Sequence, residues 1–381
     1  QSVTTGGAGD TINVAALTAT GTFNTVGGDT IQIGDGGNIA GVNGEGAGVG
    51  TALDAGTVTL ASGASVSMTS AQHNGFTTAI NGGGTEQITL TTSGTVSGDA
   101  DIETYVLSGT GNVFTIGVAG QSVNTGAGGS NSVDVLALTA TGTFTTQGTD
   151  TIKLSDTANI AGISSGAAFT ANNLTLASGA SVTMTRLQNN SFSGTLSVAG
   201  TNTLTMTTVG AVTALSGIET YVLAAGTSTI TLADSGQNVT ADSTGGGGAI
   251  TINTGTLTSV TGTFDDNSGN DTIALELAHT TGVNVSTVNM TDVDTVSLAT
   301  DAKGTMTVAQ HNKINAAAGS ANRVTLTDSG TINANANVEE YVLNTSGGTT
   351  ITLTAAGQSV TTGTGGADTI DVAALTATGT F

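Results

Sequence analysis

Asp10–Ile33 reads DTINVAALTATGTFNTVGGDTIQI. Its two Asp-Thr-Ile elements start 19 residues apart, at Asp10 and Asp29. The spacing returns between Asn131-Ser-Val133 and Asp150-Thr-Ile152. Short alternation of apolar and polar residues marks a half-buried strand, and Val, Ile and Thr suit a pleated surface. A strand element that recurs every 19 to 20 residues, with Gly-rich turns between, is expected to form one side of a coil stacked on its neighbours.

Around this spacing lies a longer period. Gln1, Gln121, Gln237 and Gln358 each open a Gln-Ser/Asn-Val phrase, at intervals of 120, 116 and 121 residues. Gly-Thr-Phe recurs with Phe at 23, 144, 264 and 381. The strings IETYVL, IETYVL and VEEYVL put Tyr105, Tyr221 and Tyr341 in one register, and these are all the tyrosines of the chain. The sequence therefore divides into repeats over 1–120, 121–236 and 237–357, with 358–381 opening a fourth. That pattern reads as a window from a longer array.

The expected fold is all-β: a parallel β-solenoid whose repeats of about 120 residues hold about six coils of about 20 residues each. Tandem β-sandwich modules are the alternative. A sandwich normally carries a larger aromatic core and Asn-Gly or Asp-Gly hairpins, whereas aromatics make up 3% of this chain. The chain has no Pro, consistent with a backbone whose N–H groups nearly all serve ladders.

Five Lys and Arg oppose 27 Asp and Glu, for a net charge of -22. A surface of that sign repels nucleic acid, which needs a cationic stripe. No apolar stretch approaches the roughly 18 residues of a membrane span, so membrane insertion is not expected. With no Cys, disulfides, thiolate metal sites and thiol nucleophiles are excluded.

Twenty of the 27 acids are Asp. In the coil reading Asp10 lies beneath Asp29, and Asn131 beneath Asp150. Stacked carboxylates repel unless a hard cation with carbonyl ligands sits between them. A further acid, Asp35, Asp156 or Glu276, follows each Gly-X-Asp-Thr-Ile element. In DDNSGND, residues 265–271, Asp265, Asn267, Gly269 and Asp271 alternate as ligands and turn glycines do in calcium loops. Asp292 and Asp294 form a weaker cluster, as do Asp99, Asp101 and Glu103. The candidate metal ligands are thus Asp10, Asp29, Asn131, Asp150, Asp265, Asn267, Asp271, Asp368 and Asp371, with calcium as the expected ion.

GTGGADTID, Gly363–Asp371, resembles the calcium-binding nonapeptide of RTX proteins, with Thr364 in place of its second Gly. GAGGSNSVD, Gly126–Asp134, matches in register but carries Asn131 at the Asp position. The phrase LSGIETYVL is similar to strand phrases of type I-secreted surface-layer proteins and giant repetitive adhesins of Gram-negative bacteria. The resemblance implies export through a type I channel, folding outside the cell with calcium, and an extended β-rich surface structure. Here the nonapeptides stand singly, so scattered calcium sites are implied rather than a continuous calcium roll.

The expected role is structural: a secreted, extracellular cell-surface protein that forms a layer, fibre or matrix by repeat stacking and self-association. Its partners would be other copies of itself or the rest of a longer chain. The alternative is an adhesin module binding surface glycan or a host surface. An enzyme is not expected, because the acids recur with the repeat while Lys153, Arg186, Lys303, Lys313 and Arg323 do not. His73 and His311 share a repeat position with Asn189, which suits a hydrogen-bonding turn or helix residue rather than a metal ligand or catalyst. The repeated Tyr and Phe read as core plugs. Thr-x-Thr strings raise ice binding, but their irregular intervals favour Thr as the ordinary outward residue of a half-buried strand.

Overall fold

The computed structural model describes residues 1–44, 52–163, 169–242, 247–267, 271–344, 346–372 and 378–381. Residues Gln1–Gly200 and Thr201–Phe381 form two compact units. Each is a parallel β-solenoid.

In the first unit one ladder stacks Val3–Thr4, Thr18–Asn24, Asn38–Asn43, Ser65–Met68, Gln87–Leu90, Thr104–Leu107, Ser122–Asn124 and Phe144–Thr145. Beside it Thr11–Val14, Thr30–Ile33, Thr57–Leu60 and Ala79–Asn81 form a second ladder. A third runs from Thr95–Ser97 through Val113–Thr115, Ser132–Val135, Thr151–Leu154 and Asn173–Leu176 to Leu196–Ser197. Thr11 pairs with Thr30, and Ser132 with Thr151, so the 19-residue spacing is one coil. Six rungs of the first ladder fall before Ser122, which is the coil number expected of one repeat.

The second unit repeats the plan. Gly210–Thr213, Ser228–Thr231, Ala249–Asn253, Thr272–Leu277, Val293–Leu298 and Ile314–Ala317 form one ladder. Val283–Asn284, Lys303–Met306, Arg323–Leu326, Glu340–Val342 and Ser359–Thr361 form another. Strand neighbours pair in parallel, for example Thr30 with Thr57 and Lys303 with Arg323. Sandwich modules, built on antiparallel hairpins, do not describe this chain.

Burial alternates along the strands, so a period of two becomes an inner and an outer face. Inner residues stack in columns: Ile12, Ile31, Val58 and Ile80 in one; Val66, Ile88, Tyr105, Val123 and Phe144 in another. In the second unit Val212, Ile230, Ile252, Leu275 and Val296 do the same. Tyr105, Tyr221 and Tyr341 are fully buried, and Phe23, Phe144 and Phe264 nearly so. These six repeated aromatics are core plugs, whereas Phe381 is 59% exposed.

Among the described residues the helices are α1 (Ser70–Gly75), α2 (Arg186–Ser191) and α3 (Val308–His311). Each starts at a Thr, Thr69, Thr185 or Thr307, in a reciprocal capping box with Gln72, Gln188 or Gln310. The same glutamines reach across the coil. Gln72 Nε2 donates to the carbonyls of Ile39 (2.7 Å) and Val42 (3.1 Å), and Gln310 Nε2 to those of Val285 (2.7 Å) and Val288 (3.1 Å). Helices this short are held by tertiary contacts rather than propensity.

One glycine of the repeat is there for space. A Cβ at Gly142, Gly262 or Gly379 would overlap the backbone carbonyl of Gln121, Gln237 or Gln358 on the coil below. The Gly-Thr-Phe phrase and the Gln phrase thus touch once per repeat.

Candidate functional site at the acidic coil corners

At five coil corners the residue one position before a strand, Asp10, Asn112, Asn131, Gly248 or Thr349, has its N–H taken by a side chain of the next coil. Asp29 Oδ1 accepts from Asp10 N (3.0 Å), Asp150 Oδ1 from Asn131 N (2.8 Å), Asp368 Oδ1 from Thr349 N (2.8 Å), and Asp271 Oδ1 from Gly248 N. Asn131 does the same for Asn112 N at 2.9 Å. The structure therefore brings Asp10 to Asp29 and Asn131 to Asp150, through backbone amides.

At Asp29 and Asp150 the second oxygens are occupied as well. Asp29 Oδ2 accepts from Thr5 Oγ1 (2.5 Å) and Val26 N (2.9 Å). Asp150 Oδ2 accepts from Thr125 Oγ1 (2.5 Å) and Gln147 N (2.7 Å). Both side chains are sealed from solvent. The Thr5 hydroxyl and then the Val26 amide lower the pKa of Asp29, against burial. A cation here would compete with donors already in place. Asp10 and Asp368 are less enclosed, each accepting a local glycine amide on Oδ2: Gly6 N at 3.1 Å and Gly363 N at 3.1 Å. Asp371 stands exposed on the outer face, opposite Thr352.

A second corner uses glutamates in the same way. Glu103, Glu219 and Glu339 accept from Glu86 N (2.8 Å), Asn202 N (2.7 Å) and Asn322 N (2.8 Å). These are the Glu residues of the recurring Ile-Glu-Thr and Val-Glu-Glu phrases, so that phrase has a direct structural task. Glu86 was not among the sequence candidates. It is fully buried and collects Gly63 N (2.9 Å), Gly83 N (3.0 Å) and Gly84 N (3.0 Å). Burial works to raise its pKa, but these amides outweigh it and the net shift is downward. Its signal in the sequence was the glycine run Gly82–Gly84 just before it.

The repeated glutamines also acquire a role that repetition alone did not reveal. Gln121 Oε1 accepts from Gly117 N (2.7 Å), while its Nε2 donates to the carbonyls of Asp99 (2.6 Å) and Ile102 (3.0 Å). Gln237 repeats this with Ala233 N (2.7 Å) and the carbonyls of Leu215 (2.9 Å) and Ile218 (3.0 Å). Gln358 does so with Ala355 N (3.0 Å) and the carbonyls of Asn335 (2.8 Å) and Val338 (2.9 Å).

Of the 265–271 stretch, residues 265–267 and 271 are described. Asp265 accepts from Asn267 N (2.7 Å), and Asn267 takes a left-handed conformation with φ 55°. Asp265 converges with Asp266 and Asp292, their carboxylate oxygens within 4.8 Å of one another. Such oxygens could share a hard cation. Asp271 is 7% exposed, and its Oδ2 has no hydrogen-bond partner among the described residues. Gly269 lies outside the described residues.

His73 in α1 and His311 at the end of α3 are buried. Their Nε2 atoms lie 3.1 and 3.2 Å from the hydroxyls of Tyr105 and Tyr341. Those hydroxyls also accept the N–H of Asp99 (2.9 Å) and Asn335 (2.7 Å). Burial lowers both histidine pKa values and raises those of the tyrosines. Among the described residues, no helix is long and apolar enough to cross a membrane. No protein-family model, curated protein or solved structure matches the chain.

Proposed function

We propose that this chain is a structural element of a secreted cell-surface array, working as a stiff segment of stacked coils without catalysis. The observation that carries this reading is the repeated engagement of corner side chains with the backbone of the adjacent coil. The recurring Asp, Glu and Gln residues are spent on tying one coil's backbone to the next. Parallel ladders, in-register aliphatic columns and corner caps together resist extension and local opening, as a load-bearing segment requires. The -22 charge keeps such a segment soluble, and calcium at the Asp265, Asp266 and Asp292 corner relieves local repulsion. Immunogold labelling of intact source cells, with electron microscopy of the purified chain in calcium and in chelator, tests the reading. Surface label and filaments or sheets support it. An intracellular label or a chain that stays monomeric under both conditions removes it.

A further inference from the structure

The third repeat departs from the first two at one corner column. Ladder pairing sets Val3 against Phe23, Val123 against Phe144 and Val239 against Phe264. Two residues further along each pair, Thr5 meets Thr25 and Thr125 meets Thr146, but Ala241 meets Asp266. The bridge between Thr263 and Asn289 carries the column on to Asp292 in the following coil. Hydroxyls at this corner are thus exchanged for a methyl and two carboxylates. Asp265 adds a third carboxylate, where the other repeats hold Asn24 and Thr145.

The exchange strands a buried carboxylate oxygen. Asp29, Asp150 and Asp271 hold the same corner, each accepting on Oδ1 an amide of the coil before. The Oδ2 atoms of Asp29 and Asp150 turn towards the column, where the Thr5 and Thr125 hydroxyls donate to them. Ala241 stands in that place for Asp271 and has no donor to offer. Asp271 is 7% exposed, and its Oδ2 has no partner among the described residues. A buried charged group left unpaired carries a penalty that a ligand can remove. The same column presents Asp266 and Asp292, and their carboxylate oxygens lie within 4.8 Å of each other and of Asp265. Lys313, on the next coil, does not neutralise them: its ammonium donates to the carbonyls of Met290 (2.9 Å) and Val293 (2.5 Å).

We propose that this column binds one calcium ion, with Asp265, Asp266 and Asp292 as carboxylate ligands and Asp271 Oδ2 as the buried one. Calcium accepts irregular sets of carboxylates and completes its shell with carbonyls and water. The ion would stand where the other repeats place threonine hydroxyls, and would fasten the coil of Asp266 to that of Asp292. Asp29 and Asp150, whose oxygens are filled by protein donors, would stay metal-free. One recurring aspartate thus has two tasks, decided by whether its neighbour in the column is Thr or Ala. The inference deepens the calcium element of the structural reading and rests on that reading there alone, since surface labelling decides the cell-surface assignment whether or not this column binds calcium.

Calorimetric titration of calcium into the chelator-stripped full chain tests the site. The expected result is one saturable site. D266T/D292N, in which D266T copies Thr146 of the second repeat, should abolish it. A241T, which returns a hydroxyl to Asp271 Oδ2, should weaken it by about tenfold or more. D54N, at an exposed acid of the first unit, should bind as the parent does. Cooperative melting in chelator shows that each variant folds, and D266T/D292N should lose the rise in melting temperature that calcium gives the parent. Absence of saturable binding by the parent overturns the proposal, as does binding that survives D266T/D292N. An equal loss in D54N would assign the heat to general charge screening and overturns it too. Full affinity in A241T does the same, because the Asp271 oxygen would then not be a ligand.

Discussion

Asn131 and Asp150 sit one coil apart, joined by the Asn131 N–H donating to Asp150 Oδ1 at 2.8 Å, yet their side chains have opposite hydrogen-bonding tasks. Asp150 receives donors only: two backbone amides and the Thr125 hydroxyl. Asn131 must also give. Its Nδ2 donates to the carbonyls of Gly128 (2.6 Å) and Thr125 (3.1 Å), with Gly109 at 3.4 Å. The Asp-to-Asn difference within the repeat is thus dictated by what surrounds each corner.

Asp150→Asn should therefore destabilise the first unit. An amide would turn NH₂ towards a donor, leaving a buried group unpaired at a cost of about 1–3 kcal/mol. Urea unfolding should show a lower midpoint, and hydrogen exchange should show a faster Asn131 amide. If neither moves, the corner cap contributes nothing to stability.

The reverse exchange, Asn131→Asp, should also destabilise, because a carboxylate would face carbonyl oxygens. Here calcium is expected to discriminate. A cation could occupy the place of the lost amide hydrogens, so added calcium should restore part of the melting temperature of the variant, relative to chelator. A variant as stable as the parent in chelator would contradict the carbonyl-repulsion argument.

Acid should unfold the chain through Asp29 and Glu86. Both have lowered folded pKa values, so their stabilisation is complete above the unfolded values of about 4. It is lost as pH falls through the folded values below that. Melting temperature measured from pH 6 to pH 2 should drop mainly below about pH 4, and Asp29→Asn should flatten that drop.

A separate, smaller step belongs to His73 and His311. Burial lowers both pKa values, with nearby Asp99 opposing it at His73. The folded state thus binds fewer protons than the unfolded one, and stability declines as pH falls below about 6.5. His73→Asn with His311→Asn, copying the Asn189 of the second repeat, should remove the slope between pH 7 and pH 5. A slope that persists in the double variant would place its origin elsewhere.

Gly142→Ala should be among the most damaging small substitutions, since its methyl would meet the rigid Gln121 carbonyl rather than a movable side chain. Overpacking against backbone costs about 3 kcal/mol. Gly83→Ala, where a Cβ meets nothing within 4 Å, is the matched control. Equal unfolding midpoints for the two variants would refute the close-approach argument.

Most of the architecture was legible in the residues themselves. Alternating Val, Ile and Thr specified half-buried strands, the 19-residue return of Asp-Thr-Ile specified the coil, and the 120-residue return of Tyr and Phe marked the core. These signals are local or periodic, and a solenoid, in which each coil contacts only its neighbours, turns period into structure directly. Glu86 as a cap over three glycine amides, the glutamines bridging backbone between coils, and the meeting of Asp265 with Asp292 became visible only in three dimensions. So did the unpaired Oδ2 of Asp271. Each depends on which side chain a given corner turns towards the coil above or below, and corner geometry follows from turn lengths and backbone donors that no residue pattern states. Residue type and spacing determined by themselves that this chain stacks coils. The tertiary structure alone decided which of its many polar groups hold the coils together and which remain for something else, because a side chain is available only once the backbone's own hydrogen bonds are satisfied.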